Sequence, residues 1–219
     1  MKEIYSHYMD CFKRSDYLVS LLLSFVLLGL SFVVNFYAGT FASSRVGNYV
    51  EDIILSNIPV WNVDFLFIQG SILMWIFVIL ILLVRPQRIP FVLKSVALFV
   101  VIRAVFISVT HLGPFPTADI ITHSSILGLF TFEGDLFFSG HTGLPFLLSL
   151  IFWDHKILRY IFLVLSLVFG ATVLMGHIHY TIDVLGAFFI TFTIYHIARY
   201  LFPHDRERFV DVFKRQRQT

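Results

Sequence analysis

Charge is scarce in this chain. Asp, Glu, Lys and Arg supply 14% of its 219 residues, against about 25% in a soluble domain. A water-facing globule of this size is excluded. Cysteine is scarcer still: Cys11 stands alone, so no intramolecular disulfide framework exists. Seven prolines and twelve glycines are too few and too scattered for a low-complexity or collagen-like chain. A net charge of +2 gives nucleic acid nothing to grip.

What the chain has is apolar surface. Hydrophobic residues reach 58%, with 26 phenylalanines and a mean hydropathy of +0.83. Runs of about 20 apolar residues are the length of a membrane-spanning helix. Six occur, at 17–38, 65–84, 91–110, 137–153, 157–176 and 182–202. The short alternating segments of a membrane barrel are missing. The pattern predicts an all-α polytopic membrane protein. A segment at 1–16 precedes a six-transmembrane-helix bundle over 17–202, and a basic tail follows over 203–219. The first run exceeds the 7–15 residues of a secretory h-region, so it reads as a retained span. Between spans, residues 47–56 mix Val50, Ile53 and Ile54 with Glu51 and Asp52, which suggests a short interfacial helix. The loop at 111–136 carries Gly113-Pro114-Phe115-Pro116, which opposes helix, and its length suggests a lid or substrate gate.

Charge also orients the bundle. Six spans put both termini on one side. That side collects all of the 16 Lys and Arg residues except Arg45 and Arg103. Basic residues favour the cytoplasm, so both termini are expected there. Asp119, Glu133, Asp135, His141, His179 and Asp183 then face the periplasm, lumen or exterior. The tail at 206–217 is expected against anionic lipid.

Two polar islands interrupt the apolar sequence: Ser139-Gly140-His141-Thr142 and His179-Tyr180-Thr181-Ile182-Asp183. Ionisable groups near lipid are costly and therefore functional suspects. Two spans separate the islands, so both reach one face. At i and i+4 on a helix, His179 and Asp183 share a side. A carboxylate on Nδ1 leaves Nε2 free as a nucleophile and stabilises positive charge on the ring. His141 suits an acid/base. Ser139 and Gly140 can offer N–H groups to a phosphate. Arg103 lies seven residues before Thr110, about 10 Å along a helix, and is a fork for an anion. The set suits phosphoryl transfer at headgroup level. Plainer roles exist for each part: hydrogen bonding within the bundle for His179, N-capping for Asp183, an ion pair with Asp183 or Asp135 for Arg103, close packing for Ser139-Gly140.

At these residues the chain resembles the sphingomyelin-synthase-like branch of the type 2 phosphatidic acid phosphatase superfamily. Gly134-Asp135-Leu136-Phe137-Phe138-Ser139-Gly140-His141-Thr142 resembles that branch's third signature, and His177-Ile178-His179-Tyr180-Thr181-Ile182-Asp183-Val184 its fourth. Arg103-Ala104-Val105-Phe106-Ile107-Ser108-Val109-Thr110, with Pro114 and Pro116, resembles the second, and Asn57-Ile58-Pro59 with Asp64 faintly echoes the first. The resemblance implies a two-step route through a phosphohistidine. His179 attacks the phosphorus, Asp183 orients it, and His141 protonates the departing diacylglycerol oxygen and then deprotonates the acceptor. Arg103, Ser139 and Gly140 bind the phosphate. No cofactor and no metal is implied. The partners are a phospholipid donor and a lipid or water acceptor, within a bacterial inner membrane or a eukaryotic endomembrane or plasma membrane. Asp135, His177, Tyr180 and His111 are candidate substrate-lining residues.

The chain departs from the broader phosphatase pattern. That pattern has Lys followed by Arg-Pro, Pro before Ser-Gly-His, and Arg six residues before the nucleophilic His. Here Lys94 precedes Arg103 at a distance, Ala104 follows it, Phe138 precedes Ser139, and Val173 fills the last position. These departures favour the synthase-like branch. A lipid phosphate phosphatase or phospholipase C-type hydrolase with the same site is the near rival. A metal-dependent hydrolase using His141, His177, His179 and Asp183, or a proton-relay transporter, is more remote.

Sidedness is directly testable. In a Cys11→Ser background, an impermeant thiol reagent is expected to label Asp119→Cys from outside and Lys156→Cys from inside. Labelling of both from one side contradicts the six-span reading.

Overall fold

The computed structural model describes residues 8–118 and 136–216; Asp119, His123, Glu133 and Asp135 lie outside them. Among the described residues every regular element is helical. Helix α1, Ser15–Ser43, is followed by a π-helical turn, Phe65–Gln69, that runs into α2, Gly70–Val84. A 3-10 turn, Pro86–Arg88, opens α3, Ile89–Val109. Then come α4, Gly140–Ile151; α5, Lys156–Met175; α6, Thr181–Leu201; and α7, Pro203–Gln216.

Five of these segments are long and apolar enough to cross a membrane. The one at 137–153 is not: α4 has 12 residues, about 18 Å against a hydrocarbon core of about 30 Å. Residues 136–139 enter it as irregular chain, so its first turn begins inside the bundle. The outside of the bundle is greasy, with Phe189 76% and Leu22 67% exposed. Apolar surface on that scale needs lipid to cover it.

Helix α3 is the central post, half buried in its apolar window, whereas α1 is 17% buried. The buried stripe of α1 is small: Ser24, Ser31, Ala38, Gly39 and Ala42. Small residues let helix backbones approach, and Ala38 packs on Ala104 and Ile107 of α3. Phe99, Leu147, Leu148, Ile151, Phe152, Phe162 and Phe169 fill the space between α3, α4 and α5.

The described side chains at the start of the tail dock on the bundle. Helix α7 docks across the end where α6 finishes. Asp205 pairs with Lys94 at 2.6 Å and accepts from Ser20 Oγ at 2.6 Å. Arg208 reaches Asp16 at 2.6 Å and Arg206 reaches Asp154 at 3.6 Å. Phe209, fully buried, packs against Phe91 and Phe152. Apolar burial and internal ion pairs together hold these side chains against the bundle. Cys11, at the same end, is buried, and burial pushes its thiol up to about 11.

At the other end the loops are stapled to α6. The expected interfacial helix at 47–56 is absent; the segment is coil and turns. Asp52 is the reason. Its Oδ1 accepts from the Ile54 and Leu55 N–H groups at 2.9 and 3.2 Å, a local bond that competes with helix. The same carboxylate accepts from Thr181 N–H at 2.7 Å and Thr181 Oγ at 2.8 Å. Gly47 N–H donates to His111 O, and Gly113 N–H to Asn48 O, both at 3.0 Å. A Cβ on Gly113 would stand 2.4 Å from Gly47 O, so only glycine permits the approach. Tyr180, fully buried, donates its hydroxyl to Gly113 O at 2.7 Å and accepts from Val50 N–H at 3.3 Å. The described part of the expected gate, 111–118, is thus held rather than loose.

Burial opposes the charge of Asp52, but the bonds from Thr181, Leu55 and Ile54 outweigh it and hold the carboxyl below its ordinary range. A lowered folded pKa means that this stabilisation is complete above the unfolded value of about 3.9 and is lost as pH falls through the folded one. Asp52→Ala is expected to cost about 1–2 kcal/mol, as loss of a helix cap does. Thermal unfolding in detergent at pH 7 measures it; an unchanged Tm contradicts the capping role.

Candidate active site

The site forms where the N-termini of α4 and α6 meet. Ser139 N–H donates to Asp183 O at 3.1 Å, joining the two helix starts. Ser139 is the N-cap of α4, and its Oγ accepts from Thr142 N–H at 3.3 Å. From α5, Ser166 Oγ donates to Thr142 O at 2.7 Å and pins the first turn. The first N–H groups of each helix have no partner within it, so the junction carries two positive helix ends.

His179 sits ahead of α6, not on it. Its pairing with Asp183 therefore does not come from a shared helical face, as i and i+4 spacing suggested. The helix starts at Thr181 with Tyr180 as N-cap, which makes Asp183 the third helical residue. Its carboxylate accepts the Tyr180 N–H at 3.1 Å, the acidic half of a capping box. The same Oδ2 lies 3.2 Å from His179 Nδ1. Capping and orienting the histidine are one arrangement. Both side chains are buried, His179 at 6% and Asp183 at 0% exposure, so water competes little for that bond. Nδ1 is committed, and Nε2 is the nitrogen left for chemistry.

Arg103 enters from α3, 9% exposed. Its Nε donates to Phe138 O at 3.1 Å, and its guanidinium lies against Gly140, where a Cβ would stand 3.4 Å from Nε. Phe138 makes this geometry with φ 31°, an outlier region for a bulky residue, at a cost of about 1–3 kcal/mol. Its ring, fully buried edge-on to Phe99 and Phe106 at 5.4 and 5.7 Å, holds it there. Proline, with φ fixed near −65°, cannot occupy that conformation, which accounts physically for the departure before Ser139.

His141 is the second residue of α4. Its ring stacks on Phe67 at 3.8 Å and meets Phe169 edge-on. Gly143 allows α4 to reach this depth, since a Cβ there would meet Phe99 at 2.7 Å and Thr191 at 2.9 Å.

Other candidates stand aside. His177, buried with φ 51°, bonds Thr117 Oγ through Nδ1 at 2.6 Å and touches Phe115. Tyr180 anchors the loops through its hydroxyl. His111 is exposed, packs on Phe41 and holds Gly47 through its carbonyl. Asp135 lies outside the described residues. Among those residues no three His, Cys, Asp or Glu side chains gather as a metal site would, so the four-ligand set of the metal rival is not assembled. Val173 is buried in an apolar cluster with Phe67 and Val184, and Lys94 is engaged at the far end. Neither adds charge to the site.

Asp52, Phe67 and Thr117 were not singled out from sequence. Asp52 caps a helix that starts 129 residues later, and no local pattern announces such a partner.

Residues 134–200 match the model of a family described as the PAP2 superfamily C-terminal region. No curated protein and no solved structure matches the chain. The matched stretch contains both polar islands and supports the PAP2 superfamily; it does not distinguish the sphingomyelin-synthase-like branch within it.

Proposed function

We propose that the protein is a membrane lipid phosphotransferase. It moves a phospho-headgroup from a phospholipid to a ceramide or diacylglycerol-like acceptor through a phosphohistidine. The buried contact between His179 Nδ1 and Asp183 Oδ2 carries the reading. A carboxylate at Nδ1 favours the tautomer with the proton there and leaves the Nε2 lone pair for attack. The PAP2 superfamily match suggests phosphatase or phosphotransferase chemistry on lipid phosphates.

In the first step His179 Nε2 forms a bond to phosphorus as the phosphorus–oxygen bond to diacylglycerol breaks. The electron pair leaves with that oxygen, and His141 supplies its proton. Positive charge on the His179 ring is offset by Asp183. In the second step His141 removes the acceptor hydroxyl proton, the new oxygen–phosphorus bond forms and the phosphorus–nitrogen bond breaks. Arg103 and the N–H groups at the start of α4 balance the phosphoryl oxygens.

Charge favours a phosphodiester donor. A phosphomonoester brings between about 1.5 and 2 negative charges at neutral pH, a phosphodiester one. With Val173 in place of an arginine and Lys94 held by Asp205, Arg103 is the basic side chain that the site offers among the described residues. The bundle end holding the site is proposed to face the periplasm, lumen or exterior.

The purified protein is to be supplied with headgroup-labelled phospholipid, with and without ceramide or diacylglycerol. Label is expected in an acceptor lipid; release only as free phospho-headgroup favours the hydrolase. Arg103→Lys is expected to lower kcat/KM about 10- to 100-fold, because a point charge replaces a bidentate fork. Asp183→Asn is expected to keep the fold and lose about 10⁴ in rate, by analogy with the serine-protease triad. Near-wild-type turnover of either variant contradicts the mechanism.

A further inference from the structure

Among the described residues no carboxylate is bonded to His141; Pro145 stands four residues on. Its ring is nevertheless fixed, and from another helix. Phe67 is buried at 6% exposure on the π-helical turn Phe65–Gln69. Its ring lies on the imidazole with centroids 3.8 Å apart and planes 24° from parallel.

The segment is wound as π, closing i to i+5 with Gly70 N–H on Phe65 O, and the Ser71 hydroxyl donates to Phe67 O at 2.6 Å. Single π turns inside helices recur at functional sites.

We propose that Phe67 is the positioning residue of His141, through its ring stacked on the imidazole face. The proposal rests on the reading of His141 as the acid/base. The flat ring prevents the imidazole from turning away. The two histidines then differ in their supports. His179 has an anion, which favours a ring that must hold positive charge while bonded to phosphorus. His141 has an aromatic face, which suits a group that gives and takes one proton in each cycle.

The test compares two donors on the full-length protein in lipid: a natural phospholipid, whose alkoxide needs a proton, and its nitrophenyl phosphodiester analogue, whose phenolate does not. Phe67→Ala is expected to lower kcat about 10- to 100-fold on the natural donor and less than about threefold on the analogue, with KM nearly unchanged. Phe67→Tyr is expected to restore the natural rate. Should the alanine variant not fold, Phe67→Leu, which fills the space without a flat ring, is expected to show the same split. Equal losses on both donors, a loss confined to KM, or an undiminished natural rate overturns the proposal. His141→Ala separates the two failures. If it spares the analogue while the Phe67 variants do not, Phe67 alone is misassigned. If it slows both donors equally, the acid/base role falls, and the Phe67 proposal with it.

Discussion

The carboxylate of Asp183 is the constraint on which the rest of the structure depends. One oxygen accepts the Tyr180 N–H and faces His179 Nδ1, and the residue's own carbonyl accepts Ser139 N–H. The start of α6, the start of α4 and the nucleophile are thereby tied together. Displacing α6 by one residue would break all three links. The outer loops secure it from above: Asp52 holds Thr181, and Tyr180 holds Gly113 and Val50. Their residues lie outside the proposed reaction centre, yet they hold the start of α6 in place.

Buried charge among the described residues gathers at the two ends of the bundle. At one end Lys94, Asp205, Arg208 and Asp16 form a chain of pairs under α7. At the other, Arg103 is buried against the carbonyl of a strained Phe138. The aromatic cage around Phe138 supplies the packing energy that offsets about 1–3 kcal/mol of backbone strain.

Much of this was legible in the sequence, and what was not has physical causes. Five spans are explicit because apolar length is a local property; the boundaries at 65–84 agree with the turn and helix observed. The segment at 137–153 reads as a span because its entry strand is as apolar as the short helix behind it. His179 and Asp183 were paired by the correct spacing for a different reason: four residues also separate a residue ahead of an N-cap from the third helical position. Residues 47–56 have the composition of an interfacial helix, but the side chain of Asp52 captures the N–H groups of Ile54 and Leu55. Phe67 was invisible because one Phe among 26 carries no mark of the histidine it covers. The winding of its turn is set by tertiary packing.

The most direct measurement is chemical trapping of the phosphorylated enzyme. After rapid mixing with a labelled phospholipid and quenching in base, where a phosphorus–nitrogen bond survives, the adduct is mapped by mass spectrometry. The account predicts an acid-labile phosphoryl group on His179, absent from His179→Ala and formed by His141→Ala from a nitrophenyl donor. An adduct on His141, or natural turnover by His179→Ala, contradicts it.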